Sequence, residues 1–246
     1  MRILACIGML LSAFTLADVQ LVVGEVPGHA SMTEAGMKGA DYDLVMEMAK
    51  RVGYKGKIEI QPYPRALKSG SEGSSVLVFP VARNPEREQK FKWITELTED
   101  EIIVVANRNS TFDISSLEAV KNLRIGVLRS AVGDIVASKQ AFPGIERVAK
   151  EEFNAKKLSH GRIDVWIGVW NAILIAQRNA GLSRKDLRRG VVIHRATAQL
   201  AASPDFSDAE AKKWQDALKA MKADGTYKRI IDANQYEFPP VTPPSR

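Results

Sequence analysis

The chain has little of the chemistry that most enzymes carry. Its one cysteine, Cys6, lies in the first apolar run, so the 246 residues can close no internal disulfide and the fold depends on its core. Histidine occurs three times, at His29, His160 and His194. These positions are far apart and lack metal-ligand spacing, which excludes a zinc site built on histidine and cysteine. No glycine-rich dinucleotide loop, phosphate-binding loop or nucleophile elbow is present. The adjacent Glu151 and Glu152 read as a solvated helix start rather than an acid/base pair. No cofactor and no metal is expected. No internal repeat or low-complexity tract interrupts the chain.

Basic residues are more abundant. Lys and Arg number 35 against 29 Asp and Glu, a formal net charge of +6 with a sequence pI near 9.4. Such an excess points to an anionic partner. The basic residues are spread along the chain without a stripe or interleaved aromatics, which argues against nucleic acid. At the N-terminus, "MRILACIGMLLSAFTLADVQ" places Arg2 before an apolar run from Ile3 to Ala17, with Thr15 and Ala17 as the small residues preceding a cut. The run is shorter than the roughly 20 residues of a spanning helix. Residues 1–17 therefore read as a cleavable secretory signal, and the mature chain as a periplasmic protein of net charge +6 − 1 = +5.

Strand and helix patterns then alternate. "VQLVVGEV" reads as a strand. In "GADYDLVMEMAKRVG", Leu44, Val45, Met48, Ala49 and Val52 share a helical face, Glu47 pairs with Arg51, and Gly53 is the C-terminal glycine. "KIEIQPY" is a strand and "PRALKSG" a helix opened by Pro64. "SVLVF" is a strand, "NPEREQKF" a helix start and "DEIIVVANR" a strand. "SSLEAVKN" carries a Ser115-to-Glu118 capping box. "LRIGVL", the turn "RSAVGD", "IERVA", "EEFNAKKLSHG", "RIDVWIGV" and "WNAILIAQRNAG" continue the alternation. "GVVIH" and "QLAAS" are two strands. A long helix with a Ser207-to-Glu210 capping box, a short helix "TYKRIIDAN" and an extended proline-rich tail close the chain. This pattern predicts an α/β protein with mainly parallel sheets. The acidic "TELTEDE" reads as a boundary between two domains of roughly 100 residues each.

Three stretches could bind a ligand. In "VLVFPVARNPEREQKF", Asn84 suits an N-cap and Pro85 the first helical position, so the backbone N–H groups of a helix start would favour an anion. Arg83 and Arg87 bracket that point, and a guanidinium matches a carboxylate with two parallel hydrogen bonds. Surface pairing of both arginines with Glu86, Glu88 or "TED" remains open. In "RIGVLRSAVGDIV", Ser130 and the N–H groups of Ala131, Val132 and Gly133 could face an anion, or form an ordinary loop. Trp166 lies among apolar strand residues and reads as core. Trp170 and Tyr63 stand at strand ends, where α/β proteins bind ligands, and read equally as pocket wall or as packing.

The order of these pieces resembles the bacterial extracellular solute-binding proteins of family 3, the type II periplasmic binding proteins of polar amino-acid uptake. "GADYDLVMEMAKRVG", "RALKSGSEGSSVLVFP", "NPEREQKFKW", "LRIGVLRSAVGD", "HGRIDVWIGVWNAIL" and "WQDALKAMKADGTYKRI" are each similar to a segment of that family, in the family's order. The resemblance implies two lobes, residues 18–98 with 203–246 and residues 99–202, joined by two crossovers around a ligand cleft. It implies a monomeric binding protein, not an enzyme, that delivers a small ligand to an ABC-type permease. Arg87 matches the family's grip on the ligand carboxylate. Phe79, Pro80 and Ala82 match positions that often carry assisting hydroxyls, and Ser130, Ala131 and Val132 match the loop of the second lobe. The aspartate that receives the ligand amine falls near Val169, so Glu25 is the nearest substitute. With Phe79, Tyr63 and Trp170 as candidate walls, these departures from the family pattern favour an organic acid, a modified or aromatic amino acid, or a peptide-like compound over a standard α-amino acid. Enzymes such as periplasmic cyclohexadienyl dehydratases resemble the same family, with Glu25 then the candidate acid or base. A binding protein that feeds a sensor is a further alternative.

Overall fold

The computed structural model describes residues 19–240. The expected secretory signal of residues 1–17 and the end of the proline-rich tail lie outside the described residues. The elements run β1 (Gln20–Glu25), β2 (Ser31–Thr33), β3 (Gly36–Lys38), α1 (Ala40–Val52), β4 (Ile58–Pro62), α2 (Tyr63–Glu72), β5 (Val76–Ala82) and β6 (Lys92–Asn107). They continue with α3 (Leu117–Val120), β7 (Ile125–Leu128), α4 (Val132–Lys139), β8 (Ile145–Val148), α5 (Glu151–Ser159), β9 (Val165–Val169) and α6 (Trp170–Asn179). Then come β10 (Leu187–Ala202), α7 (Asp208–Ala223) and α8 (Thr226–Ala233).

Eight strands form one sheet in the order β4-β1-β5-β10-β6-β9-β7-β8. Both ends of the sheet are parallel, β1 with β4 and β5, and β7 with β8 and β9. The middle is antiparallel: β10 pairs with β5 and β6, and β6 pairs with β9. At about 3.3 Å per residue, each central strand of 16 residues spans roughly 50 Å, long enough to run through both halves of the molecule. One half is built around Leu21, Leu44, Met48, Trp214 and Met221, with α1, α7 and α8 packed on the sheet. On its other face, α2 packs Ala66 against Val22 and Val78. In the second half, Ile103, Trp166 and Ile173 form the core on one face, and Val104, Ile125 and Ile167 on the other.

Local rules account for most of these elements. Helix α1 buries Leu44, Val45, Met48 and Ala49, carries the Glu47–Arg51 pair, and ends at Gly53 in the left-handed conformation with φ 73°. Helix α7 starts at Ser207, whose hydroxyl accepts the Glu210 N–H. Three readings are corrected. "NPEREQKF" forms turns, with the Asn84 side chain and carbonyl both accepting the Arg87 N–H. Few residues separate Asn84 from the start of β6, too short a span to offset the cost of nucleating a helix. "TELTEDE", read as a domain boundary, lies in the middle of β6, and "GVVIH" and "QLAAS", read as two strands, are parts of the single strand β10. The cap of α3 is Ser116, which accepts the Ala119 N–H, and not Ser115.

Candidate functional site

A cavity of about 180 Å³ opens where the C-terminal ends of the parallel strands from both halves meet, the usual binding position in α/β sheets. Val26 and His29 follow β1, Tyr63 follows β4, and Pro80 and Ala82 end β5. Val132 opens α4 and Val169 ends β9. The central strands contribute Asp100, Glu101 and Ile102 from β6 and Ala196, Thr197 and Ala198 from β10.

Arg87 stands at one side. Its guanidinium donates to the Tyr63 hydroxyl and to the Ala82 carbonyl, both at 3.1 Å, and lies 5.7 Å over the Tyr63 ring. It is half-buried and forms no ion pair among the described residues, so its remaining N–H groups are available to an anion. Arg83 is turned away. It is exposed, forms a two-pronged pair with Glu88 at 3.0 and 2.5 Å, and stacks over Trp93. The local alternative therefore describes Arg83, while Arg87 lies against two cavity residues.

The other anticipated residues divide in the same way. Tyr63, Pro80, Ala82 and Val132 line the cavity. Phe79 does not, because alternation along β5 sends it to the face beneath α1 and α7, where it is fully buried. Trp170 is core in the second half, with its indole N–H on Glu237 at 3.1 Å and Arg189 4.2 Å over its ring. The N–H of Ser130 is taken by Asp134 and that of Ala131 by the Leu128 carbonyl. Glu25 is exposed and accepts the Met32 N–H. It contributes no acid to the cavity.

The acids of the cavity come from "TELTEDE". Asp100 and Glu101 are buried on β6. Asp100 Oδ2 accepts the Asn171 amide at 2.8 Å and the Tyr236 hydroxyl at 3.2 Å, and Oδ1 accepts the Glu101 N–H. Burial pushes its carboxyl up to about 6, against the opposing pull of His29. Glu101 is neutralised by Arg189 and Arg195. His29 Nδ1 lies 2.8 Å from Asp41 Oδ2, and Thr98 donates to the other Asp41 oxygen at 2.8 Å. Burial lowers the His29 pKa, but the Asp41 and Asp100 carboxylates outweigh it and hold the imidazole above its ordinary value. Gly39, at φ 141°, permits this contact, because a Cβ there would collide with the His29 carbonyl. Among the described residues no group of three or more His, Cys, Asp or Glu is arranged to hold a metal ion. One signal for the missed acids existed. Asp100 and Glu101 open the apolar run "IIVVA", where acids persist only with partners, and Arg189 and Arg195 recur along "LRRGVVIHRATAQ".

Among the described residues no helix is long and apolar enough to cross a membrane. Solved structures share the fold. A variant of ArgBP from T. maritima is 19% identical with a TM-score of 0.67, over 89% of this chain and 95% of that one. A probable amino-acid ABC transporter extracellular-binding protein from Bacillus subtilis is 21% identical with a TM-score of 0.68, over 87% and 95%. A histidine kinase sensor domain with similarity to periplasmic binding proteins is 14% identical with a TM-score of 0.69, over 90% and 97%. No curated protein matches the chain in sequence. Residues 22–234 match bacterial extracellular solute-binding proteins, family 3, and the chain belongs to that family.

Proposed function

We propose that the mature chain is a monomeric periplasmic binding protein that captures a small anionic or zwitterionic molecule and hands it to an ABC-type permease. The lobes would be residues 18–98 with 203–246 and residues 99–202. The observation that carries the reading is Arg87, a half-buried arginine fixed by Tyr63 and Ala82 beside a largely apolar cavity, with no carboxylate partner among the described residues. A ligand carboxylate completes that site. Strands β6 and β10 are the covalent links between the lobes, so bending there would open and close the cleft, and ligand would shift the population toward the closed state. Calorimetry of the mature protein against amino acids and small organic acids tests the reading. Arg87→Ala should abolish detectable binding with the melting temperature nearly unchanged. An unchanged affinity would remove Arg87 from the site.

Two observations favour other uses of the same cleft. The His29–Asp41 pair supplies an acid/base group in the cavity, which an enzyme of the cyclohexadienyl dehydratase type requires. Turnover of prephenate or arogenate by the pure protein would establish that reading. The likeness to a sensor domain favours delivery to a sensor, which ligand-dependent capture of a membrane histidine kinase would reveal.

A further inference from the structure

The chain after α8 crosses from one half of the molecule to the other. Up to Tyr236 it belongs to the half built around Leu21 and Trp214. The Asn234 amide donates to Asp43 of α1 at 2.8 Å, and the Tyr236 side chain is buried in that core. The next residue is held by the second half. The Glu237 N–H donates to the Asn171 side-chain carbonyl at 2.9 Å, and the Glu237 carbonyl accepts from the Asn171 amide at 3.0 Å. Its carboxylate accepts from the Trp170 indole N–H at 3.1 Å and from Arg184 in a two-pronged pair at 2.7 and 3.0 Å. Three residues later the Pro240 carbonyl accepts from Arg195 of β10 at 3.1 Å. Phe238, between them, turns back to stack on Tyr227.

The crossing lies beside the strand on which the halves would bend. The Tyr236 hydroxyl is 3.1 Å from the Glu99 carbonyl and 3.2 Å from Asp100 Oδ2, where the proposed lobes divide along β6. Consecutive Cα atoms are about 3.8 Å apart, so the single step from Tyr236 to Glu237 has no slack. Rotation of one lobe away from the other must pull Glu237 off Asn171, Trp170 and Arg184, or draw Tyr236 out of its core. The first loses several polar contacts, one of them to a buried indole, and the second exposes an aromatic ring. The family match ends at residue 234, so this link lies beyond the part of the chain that family membership describes.

We infer that residues 235–240 are a clamp across the hinge. They form a third, non-covalent link beside β6 and β10, which holds the ligand-free protein near the arrangement described above. The cleft opens when Glu237 leaves Asn171, Trp170 and Arg184. The inference rests on the two-lobed binding reading and adds a control on opening that lies outside the cavity.

The experiment is double electron–electron resonance on ligand-free residues 18–246, with one spin label in each lobe. Cys6 is the one cysteine of the chain and lies outside that span, so Met32→Cys on β2 and Ile135→Cys on α4, both at exposed positions, carry the labels. The parent should give one main distance. Glu237→Ala should add a longer one, its share rising about tenfold or more, the worth of one hydrogen bond to a charged group. A chain ending at Gln235 should do the same, and Glu237→Ala decides if that chain fails to fold. Arg51→Ala, whose partners Glu47, Asp224 and Thr226 all lie in the first lobe, should leave the distances unchanged. An equal opening in Arg51→Ala overturns the inference, because general loosening then explains the effect. A parent that already shows two distances, in proportions the tail variants do not alter, overturns the clamp and leaves the two-lobed reading standing. One unchanged distance in every variant, the shortened chain included, overturns both.

Discussion

Asp100 should make the ligand-free protein less stable as pH rises, and Asp100→Asn should reverse that. The side chain is buried on β6 and its carboxyl is pushed from the ordinary 3.8 up to about 6. Raised in the folded state, the group binds its proton more tightly there than in the unfolded chain. Its favourable contribution is complete below about pH 4 and is lost as pH rises through 6. The difference between 3.8 and 6 corresponds to about 3 kcal/mol at neutral pH, an upper figure. An asparagine carries no charge to desolvate, and with its carbonyl oxygen in the place of Oδ2 it still accepts from both Asn171 and Tyr236. Loss of the acceptor for the Glu101 N–H costs about 1 kcal/mol. The net expected gain is about 2 kcal/mol near pH 7, roughly 4–8 °C in melting temperature for a chain of this size. Near pH 4 the gain should vanish or become a small loss. His29, raised by Asp41 and Asp100, and Glu151, raised by burial to about 7, slope the wild-type curve in the same direction. The informative quantity is therefore the difference between variant and wild type, and it belongs to the His29–Asp100 pair. Differential scanning fluorimetry from pH 4 to 8 measures it. Parallel curves, with Asp100→Asn equally destabilised throughout, would refute the argument that burial of this carboxylate is the dominant effect.

Other outcomes follow from single contacts. Gly39→Ala should cost about 1–3 kcal/mol, because φ 141° is a glycine conformation and the new Cβ meets the His29 carbonyl; chemical denaturation reads the loss. Displacement of His29 in that variant should also shift its imidazole proton resonances in an NMR pH titration. Glu237→Ala should destabilise by about 1–3 kcal/mol, the cost of leaving the buried Trp170 indole N–H unpaired. The Arg184–Glu237 pair, which is partly exposed, adds little to that. If Arg184→Ala proved as harmful as Glu237→Ala in thermal melts, the indole argument would fail. Arg83→Ala, which removes an exposed pair with Glu88 and the stacking over Trp93, should leave ligand affinity unaltered and move the melting temperature little.

Local rules were enough to read much of this chain from its sequence. The face Leu44, Val45, Met48, Ala49 with Gly53 after it defines α1, because helix periodicity and a left-handed C-terminal glycine are local properties. Ser207 capping α7 and Pro64 opening α2 are local in the same way. The alternation of strands and helices specified the α/β class, and the order of segments indicated the family. Arg87 stood out because its type and its place after a buried strand suit an anion.

Which side chains meet was decided only by tertiary structure. Phe79 and Pro80 are neighbours in sequence, yet the pleat sends one to the core and the other to the cavity. "TELTEDE" is acidic, yet Asp100 and Glu101 within it are buried, and Arg189 and Arg195, far along the chain, compensate Glu101 from the adjacent β10. His29, in the turn after β1, meets Asp41 on α1 through the close approach at Gly39, and Asp100 reaches them from β6. A charge inside a protein is tolerated only with a partner. Sequence specified the charges and the local elements, and the register of β6 against β10 determined which partners they found.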